Sequence, residues 1–447
     1  MNHLSSETFR ENARAALQDV HLRGALKNAT SLFGERRKQA AANLPNWEDL
    51  RNQARAIKDD ALLHLDRYLE EFERNAESRG AKVHWARDAA EANSIVVRLG
   101  IDRQARTVVK SKSMTTEETH LNTALEAAGM QVVETDLGEY IIQLAEETPS
   151  HIIAPAIHKT RRQISELFTA ELGMPPTDDI AQMTRTARAT LRDRFAAADV
   201  GVSGVNFGVA ETGTIVIVEN EGNIRLTTSL PRIHIAVMGI EKLVPRLTDL
   251  EPFLRLLPRS ASGQKASSYV SLLTGVKSND EGPEELHVVI LDNGRTEMLA
   301  DPHLREALNC IRCGACLNVC PVYQTIGGHA YGSVYTGPIG AVLTLPMAGA
   351  GHAADLPFAS TLCGACRDAC PLKIDIPKML VHLRRQVVEP RKHNKVQHVL
   401  FVIWAWTMSS VRRYRWAART VRFVQRFKTV NALPSFPKRS FRERWRL

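Results

Sequence analysis

The sequence predicts a multidomain α/β protein on three observations: a β-α-β-α alternation over 81–300, a doubled cysteine motif within 310–370, and a basic tail from 391. At 447 residues the chain outgrows one ordinary core, since domains run to roughly 150 residues. With 44% hydrophobic and 24% charged residues the composition is globular. No stretch approaches the ~20 consecutive apolar residues of a membrane-spanning helix.

Residues 1–80 read as helical, with a break at 41–45 and a restart at Asn46, whose side chain is a candidate cap with Asp49 in the first turn. Gly80 is the expected stop. From 81 the pattern predicts a strand over 107–110, a helix over 116–128, a strand over 131–134, a helix over 141–146 and a strand over 152–155. The first of these helices has a capping-box start at Thr115 and Glu118 and a glycine stop at Gly129. Further strands are expected over 214–218, 233–237 and 286–291. Right-handed crossovers would place them in a mixed or parallel sheet covered by helices. The expected domains are thus 1–80 helical, 81–300 α/β, 301–390 cysteine-bearing, with a helix over 376–387, and 391–447 basic.

All seven cysteines lie between Cys310 and Cys370. An odd number packed into a short stretch is a poor disulfide framework and a good metal site. The run Cys310-x2-Cys313-x2-Cys316-x3-Cys320-Pro321 is the one by which bacterial-type ferredoxins hold four-iron clusters. Its spacing follows from chemistry: three thiolates two residues apart wrap one cubane, and the next reaches the neighbouring cluster. CGACLNVCP at 313–321 returns as CGACRDACP at 363–371. Zinc ribbons also use CxxC pairs, but the doubled CxxCxxxCP pattern favours iron and sulfide.

Crossed ligation gives the first cluster Cys310, Cys313, Cys316 and Cys370, and the second Cys320, Cys363 and Cys366. The second set is one thiolate short. Ser360 stands where a full motif has cysteine, so serine oxygen, water, another side chain or a [3Fe-4S] cluster must complete it; otherwise two [4Fe-4S] clusters are expected. Gly314, Ala315, Gly364 and Ala365 keep the backbone bare for N–H groups to approach sulfur, while Pro321 and Pro371 favour chain reversal. Two adjacent one-electron centres make a relay. No GxGxxG follows a strand, so electron-pair cofactors belong in a partner, and the chain reads as an oxidoreductase subunit without a complete active site.

The chain resembles the lactate utilisation protein B family in VKSKSMTTEE (109–118), ETDLGEYIIQLA (134–145), PSHIIAPAIHKTR (149–161), NFGVAETGTIVIVENEGNIRL (206–226), HIAVMGIEKLVP (234–245), ALPSFPKRSFRERW (432–445) and the cysteine region. The resemblance implies that 81–300 is a lactate-utilisation domain, related in fold to coenzyme A transferases and sugar-phosphate isomerases. It implies the same seven ligands with the eighth missing, and two partners: a second cysteine-rich subunit and a small protein bearing the same α/β domain. Together such proteins oxidise L-lactate to pyruvate. Rival readings are a transferase-like or lactate-binding enzyme domain with structural or redox-sensing clusters, or an electron carrier for another 2-hydroxy acid.

Glu211, Glu219 and Glu221 are candidates for the nucleophilic glutamate of related transferases, with tight-turn packing the preferred reading. His158 and Lys159, and Lys110 and Lys112, follow expected strands, where α/β sheets meet carboxylate ligands. The preferred expectation is that they are merely solvated.

Residues 391–447 carry 15 Lys/Arg against one acid, Glu443, so the rest of the chain is mildly acidic although the whole is +9. Val399 to Trp406 is uninterrupted apolar, and Arg412, Arg415, Arg419, Arg422 and Arg426 follow at helical spacing. The expected partner is an acidic subunit surface, then an anionic membrane; nucleic acid fits worst. The N-terminus has neither a secretory nor a transit pattern. A cytoplasmic protein is expected, with peripheral contact at the inner membrane face as an option.

Overall fold

The computed structural model describes residues 6–276, 282–349, 352–389 and 395–425. It falls into two compact units, Met1–Arg384 and Arg385–Leu447. Ten strands occur among the described residues: β1 Ala81–Ala86, β2 Thr107–Lys110, β3 Gln131–Glu134, β4 Val200–Gly204, β5 Phe207–Val209, β6 Thr214–Glu219, β7 Ile233–Gly239, β8 Leu243–Val244, β9 Tyr269–Leu273 and β10 Glu285–Leu291.

Six of them form an all-parallel sheet in the order β1-β10-β7-β4-β2-β3. Buried on both faces, such a sheet needs apolar residues of either parity. Val108 and Val132 accordingly join a core with Ile95, Leu99, Leu121 and Leu125 on one side. Their chain neighbours Val109 and Val133 join a second core with Tyr140, Phe168, Leu191 and Phe195 on the other. A smaller mixed sheet runs β8-β5-β6-β9. The expected strand over 214–218 belongs there, paired antiparallel, not in the parallel sheet.

Several local expectations change. The helix over 116–128 is broken: Met114–Glu118 and Leu121–Ala127 are separated at His120, which takes a left-handed φ of 55°. The cap is Ser113, whose side chain accepts from Thr116 N, rather than Thr115. Gly129 does end the segment, at φ 86°. Asn46 starts its helix, Trp47–Leu63, without a side-chain cap bond.

The residues expected as a strand over 152–155 are turns. Two prolines flank the segment, Ser150 N reaches back to Pro155 O, and its polar groups face the cysteine region. Tyr323 donates to Ser150 O at 2.7 Å, and Gly328 N to Ser150 Oγ at 3.2 Å. Tertiary partners overrode an apolar run that reads as β.

The N-terminal helices Val20–Ala42 and Trp47–Leu63 serve the second cysteine loop. Arg37 donates twice to Ala369 O, at 3.1 and 2.7 Å, and Arg51 Nη2 donates to Cys370 O at 2.6 Å. Arg55 bridges Glu306 and Leu372 O.

In the second unit, the helices Lys395–Met408 and Val411–Gln425 are joined where Arg413 lies over the Trp406 ring and donates to Trp406 O. Leu400, Phe401, Ile403, Trp404 and Trp406 are all more than half exposed. Arg426 and the 432–445 stretch lie outside the described residues. Among the described residues no helix is long and apolar enough to cross a membrane.

Candidate functional site

The two cysteine loops repeat one backbone. Arg312 and Leu362, each just before a cysteine, take φ of 58° and 56°, and Gly314 and Gly364 follow at 73° and 87°. Each glycine starts a short helix, Ala315–Asn318 and Ala365–Ala369. Left-handed φ costs a non-glycine residue of order 1–3 kcal/mol, and persists where the surroundings over-determine it. Its recurrence at equivalent positions shows that the motif dictates this turn.

All seven thiols are free. Burial raises Cys313, and the charges of Cys370 and Cys310 raise it further. Burial raises Cys316, and the charges of Cys310, Cys313, Cys370 and Cys366 raise it further, in that order. Cys370 is pushed up to about 11, by burial first and also by Cys310. Cys366 is pushed up to about 12 by burial, then by Cys320 and Cys363, and Cys320 is raised by burial and by Cys363. Cys310, Cys313, Cys316 and Cys370 thus act on one another electrostatically, as do Cys320, Cys363 and Cys366, and Cys316 also feels Cys366.

Backbone N–H groups point at the sulfurs: Arg312 N lies 3.4 Å from Cys310 Sγ, and Ala315, Val322, Tyr323, Ala365, Leu372 and Ile374 donate to other thiols of the set. Buried thiols that raise one another in this way stay protonated unless a cation offsets their charge. An iron–sulfur cluster supplies that cation, so the donor set fits the group the motif implies. Ser360 Oγ accepts from Leu362 N at 3.1 Å, while Arg384 donates to Ser360 O.

Beside the first loop lies a buried charge network that no local pattern announces. Arg312 stacks on Tyr335, 4.9 Å from the ring centre, and reaches Glu241 at 3.3 Å. Glu241 also holds Arg295 at 2.6 Å, and Arg295 takes both oxygens of Glu118 at 2.8 Å. Tyr335 donates to Glu118 at 2.6 Å. Burial alone would raise Glu241, but Arg295, Lys242 and Arg312 pull it down to about 2. Burial pulls Lys58, which donates to Glu241 O, down to about 7. The loop is thereby tied to the end of β7 through charge. Arg312, too, went unread, although its place inside Cys310-x2-Cys313 is a local signal; Glu241 and Arg295 carry none.

The other candidates take structural partners. Glu219 accepts from Ile224 N and Arg225 N, Glu221 from Leu137 N, and Glu211 from Leu247 N. His158 and Lys159 both pair with Glu147, at 2.7 and 2.6 Å. Lys110 is not solvated: it is fully buried between Glu117 and Glu134. Lys112, Glu219 and Glu221 line a cavity of about 310 Å³ whose wall includes Lys242, Ile311 and Arg312. Burial and then Asp136 push Glu221 up to about 7.

A parallel α/β sheet joined to paired cysteine loops defines an iron–sulfur protein of two-part construction. Family models agree: the LUD domain matches residues 69–291 and the 4Fe-4S dicluster domain residues 306–374. Among relatives, "Lactate utilization protein B" of Anoxybacillus flavithermus is 46% identical over 86% of this chain and 82% of its own. The protein of that name from Shouchella clausii is 43% identical over 97% of this chain and 92% of its own. The chain belongs to the lactate utilization protein B family. A crystal structure of a DUF162 family protein from Deinococcus radiodurans covers 51% of this chain and 98% of its own at 17% identity, with a TM-score of 0.29 that carries no argument.

Proposed function

We propose that this chain is the electron-carrying iron–sulfur subunit of a multicomponent system that oxidises L-lactate to pyruvate. The reading is carried by the doubled cysteine motif, whose thiols act on one another electrostatically from both loops. Clusters bound there accept and pass on single electrons. The chain's own residues do the rest. Cys310, Cys313, Cys316 and Cys370 hold one cluster, and Cys320, Cys363 and Cys366 hold the other, with its remaining corner left to a non-cysteine ligand or to a three-iron form. Backbone N–H groups and the guanidinium of Arg312 balance thiolate charge at Cys310, which Lys58 and Lys242 also face electrostatically.

The partners in this proposal are a second cysteine-rich subunit and a small protein with the same α/β domain, in the cytoplasm or at the inner face of its membrane. The exposed apolar helix Lys395–Met408 and the arginines after it fit an acidic partner surface. Deleting 391–447 should abolish salt-sensitive association with the partner subunits. Undiminished association refutes that docking, and loss only of binding to anionic vesicles assigns the tail to the membrane.

The decisive experiment purifies the protein without oxygen, counts iron, and adds L-lactate with and without the two partners. Bleaching of the visible absorption only with partners present supports a relay. Bleaching of the isolated chain favours an enzyme domain with its own lactate site, and zinc or no metal defeats the proposal.

A further inference from the structure

The C-terminal edge of the parallel sheet carries a cluster of charge that the cysteine chemistry does not use. Lys110 ends β2 and Glu134 ends β3, paired in register. Glu117 comes from the helix Met114–Glu118, and Glu139 from the first turn of Leu137–Leu144. One oxygen from each of the three carboxylates lies within 4.8 Å of the others. Lys110 Nζ takes Glu117 Oε1 at 2.5 Å and Glu134 Oε1 at 2.8 Å, and Asn122 Nδ2 donates to that same Glu134 oxygen at 2.7 Å.

Four further acceptors of the cluster have no donor among the described residues. Glu134 Oε2, both Glu139 oxygens and Asn122 Oδ1 are buried without a hydrogen-bond partner among the described residues. Glu139 is only 3% exposed. Buried acceptors of this strength are ordinarily satisfied. Only one ammonium, Lys110, is in ion-pair contact with the three carboxylates, and Lys112 adds a weaker influence on Glu139, so the ionised cluster carries excess negative charge that a buried site must offset.

We propose that Glu117, Glu134, Glu139 and Asn122 bind one divalent cation of the hard, oxygen-preferring class: magnesium, manganese or calcium. A dication cancels the excess charge and supplies the partner that the orphaned oxygens lack. Lys110 serves as the fixed counter-ion that orients Glu117 and Glu134. All four ligands line a cavity of about 540 Å³, whose wall also includes Tyr335 and Met347 from beyond the first cysteine loop. Coordination positions not filled by the protein therefore open onto space for water or a small oxygen-bearing ligand. The place is the one where open α/β sheets take ligands, outside the carboxyl ends of the strands. The site is independent of the relay and stands whether or not lactate reduces the clusters.

The test uses full-length protein with its iron intact, dialysed free of added metal and titrated with Mn²⁺ alone while the EPR signal of free Mn²⁺ is followed. The wild type should take up one equivalent saturably. Glu134→Gln and Glu139→Gln keep side-chain shape and should bind at least about ten-fold more weakly, since even outer-shell partners of a metal cost 10–100-fold, with iron content and visible absorption unchanged. Melting curves with and without Mn²⁺ guard against misfolding: the metal should raise the wild-type midpoint and leave those of the variants where they are. No saturable uptake by the wild type overturns the proposal and assigns the charge balance to a proton on Glu139. Uptake that neither variant weakens overturns it too.

Discussion

The loops at 313–321 and 363–371 are near copies in sequence, yet they occupy opposite environments. Cys313 is buried, and so are Leu317 and Asn318 in the turn after it. Their counterparts Cys363, Arg367 and Asp368 are exposed. Burial raises the Cys313 thiol, whereas backbone N–H from Ala365 and the Thr361 hydroxyl lower that of Cys363. The same backbone motif thus yields one sealed corner and one that meets solvent. Potential and reactivity of such sites follow burial and hydrogen bonding. In the proposed relay the exposed corner at Cys363 suits electron exit, and the buried corner at Cys313 does not.

The most severe way to break the contrast is Cys313→Ala, which should remove the sealed cluster and roughly half of the bound iron. Iron analysis and EPR after anaerobic purification read this directly, and an unchanged spectrum would refute the ligand assignment. Next comes Arg295→Met. It leaves Glu118 and Glu241 buried without their guanidinium, so the melting free energy should fall by about 3–5 kcal/mol. Arg367→Ala in the open loop should change it by no more than about 0.5 kcal/mol. Equal losses would mean that the charge network does not distinguish the two sides.

Exposure should also set the order of iron loss. A ferrous chelator added under mild oxidation is expected to strip the Cys320, Cys363 and Cys366 site first, seen as a fast phase that leaves the signal of the sealed cluster intact. Single-phase loss would remove the basis for calling one set open. The smallest effect is expected from Ser360→Ala, because its hydroxyl already accepts from Leu362 N. Stability should drop by about 1 kcal/mol or less with the EPR of the second site unchanged. An altered signal would make serine oxygen the missing ligand.

What the sequence revealed depended on how local the cause was. β2, β3, β7 and β10 were legible because β-branched residues run through them, and the cysteine loops because metal ligation fixes spacing. β1, with its lysine, histidine and tryptophan, and β4, with two glycines, lack that signature and owe their strand form to neighbours far along the chain. Lys110 looked like a solvated strand-end lysine because Glu134, its partner across the sheet, is invisible to local pattern. The local pattern makes Glu118 part of a cap, whereas its carboxylate is bound to Arg295, 177 positions away. Ser113 took the cap from Thr115, a shift within the ordinary uncertainty of helix ends.

The arginine clasp on the second loop has a consequence for biosynthesis. Arg37 and Ala369 are separated by 332 positions and Arg51 and Cys370 by 319, so the first helices leave the ribosome long before the carbonyls they bind exist. Domains tend to fold in order of emergence, but this closure waits for the chain to be nearly finished. A ribosome stalled before residue 369 therefore releases a product in which Arg55 and Lys58 can still find Glu306 and Glu241 but Arg37 and Arg51 lack the carbonyls they clasp.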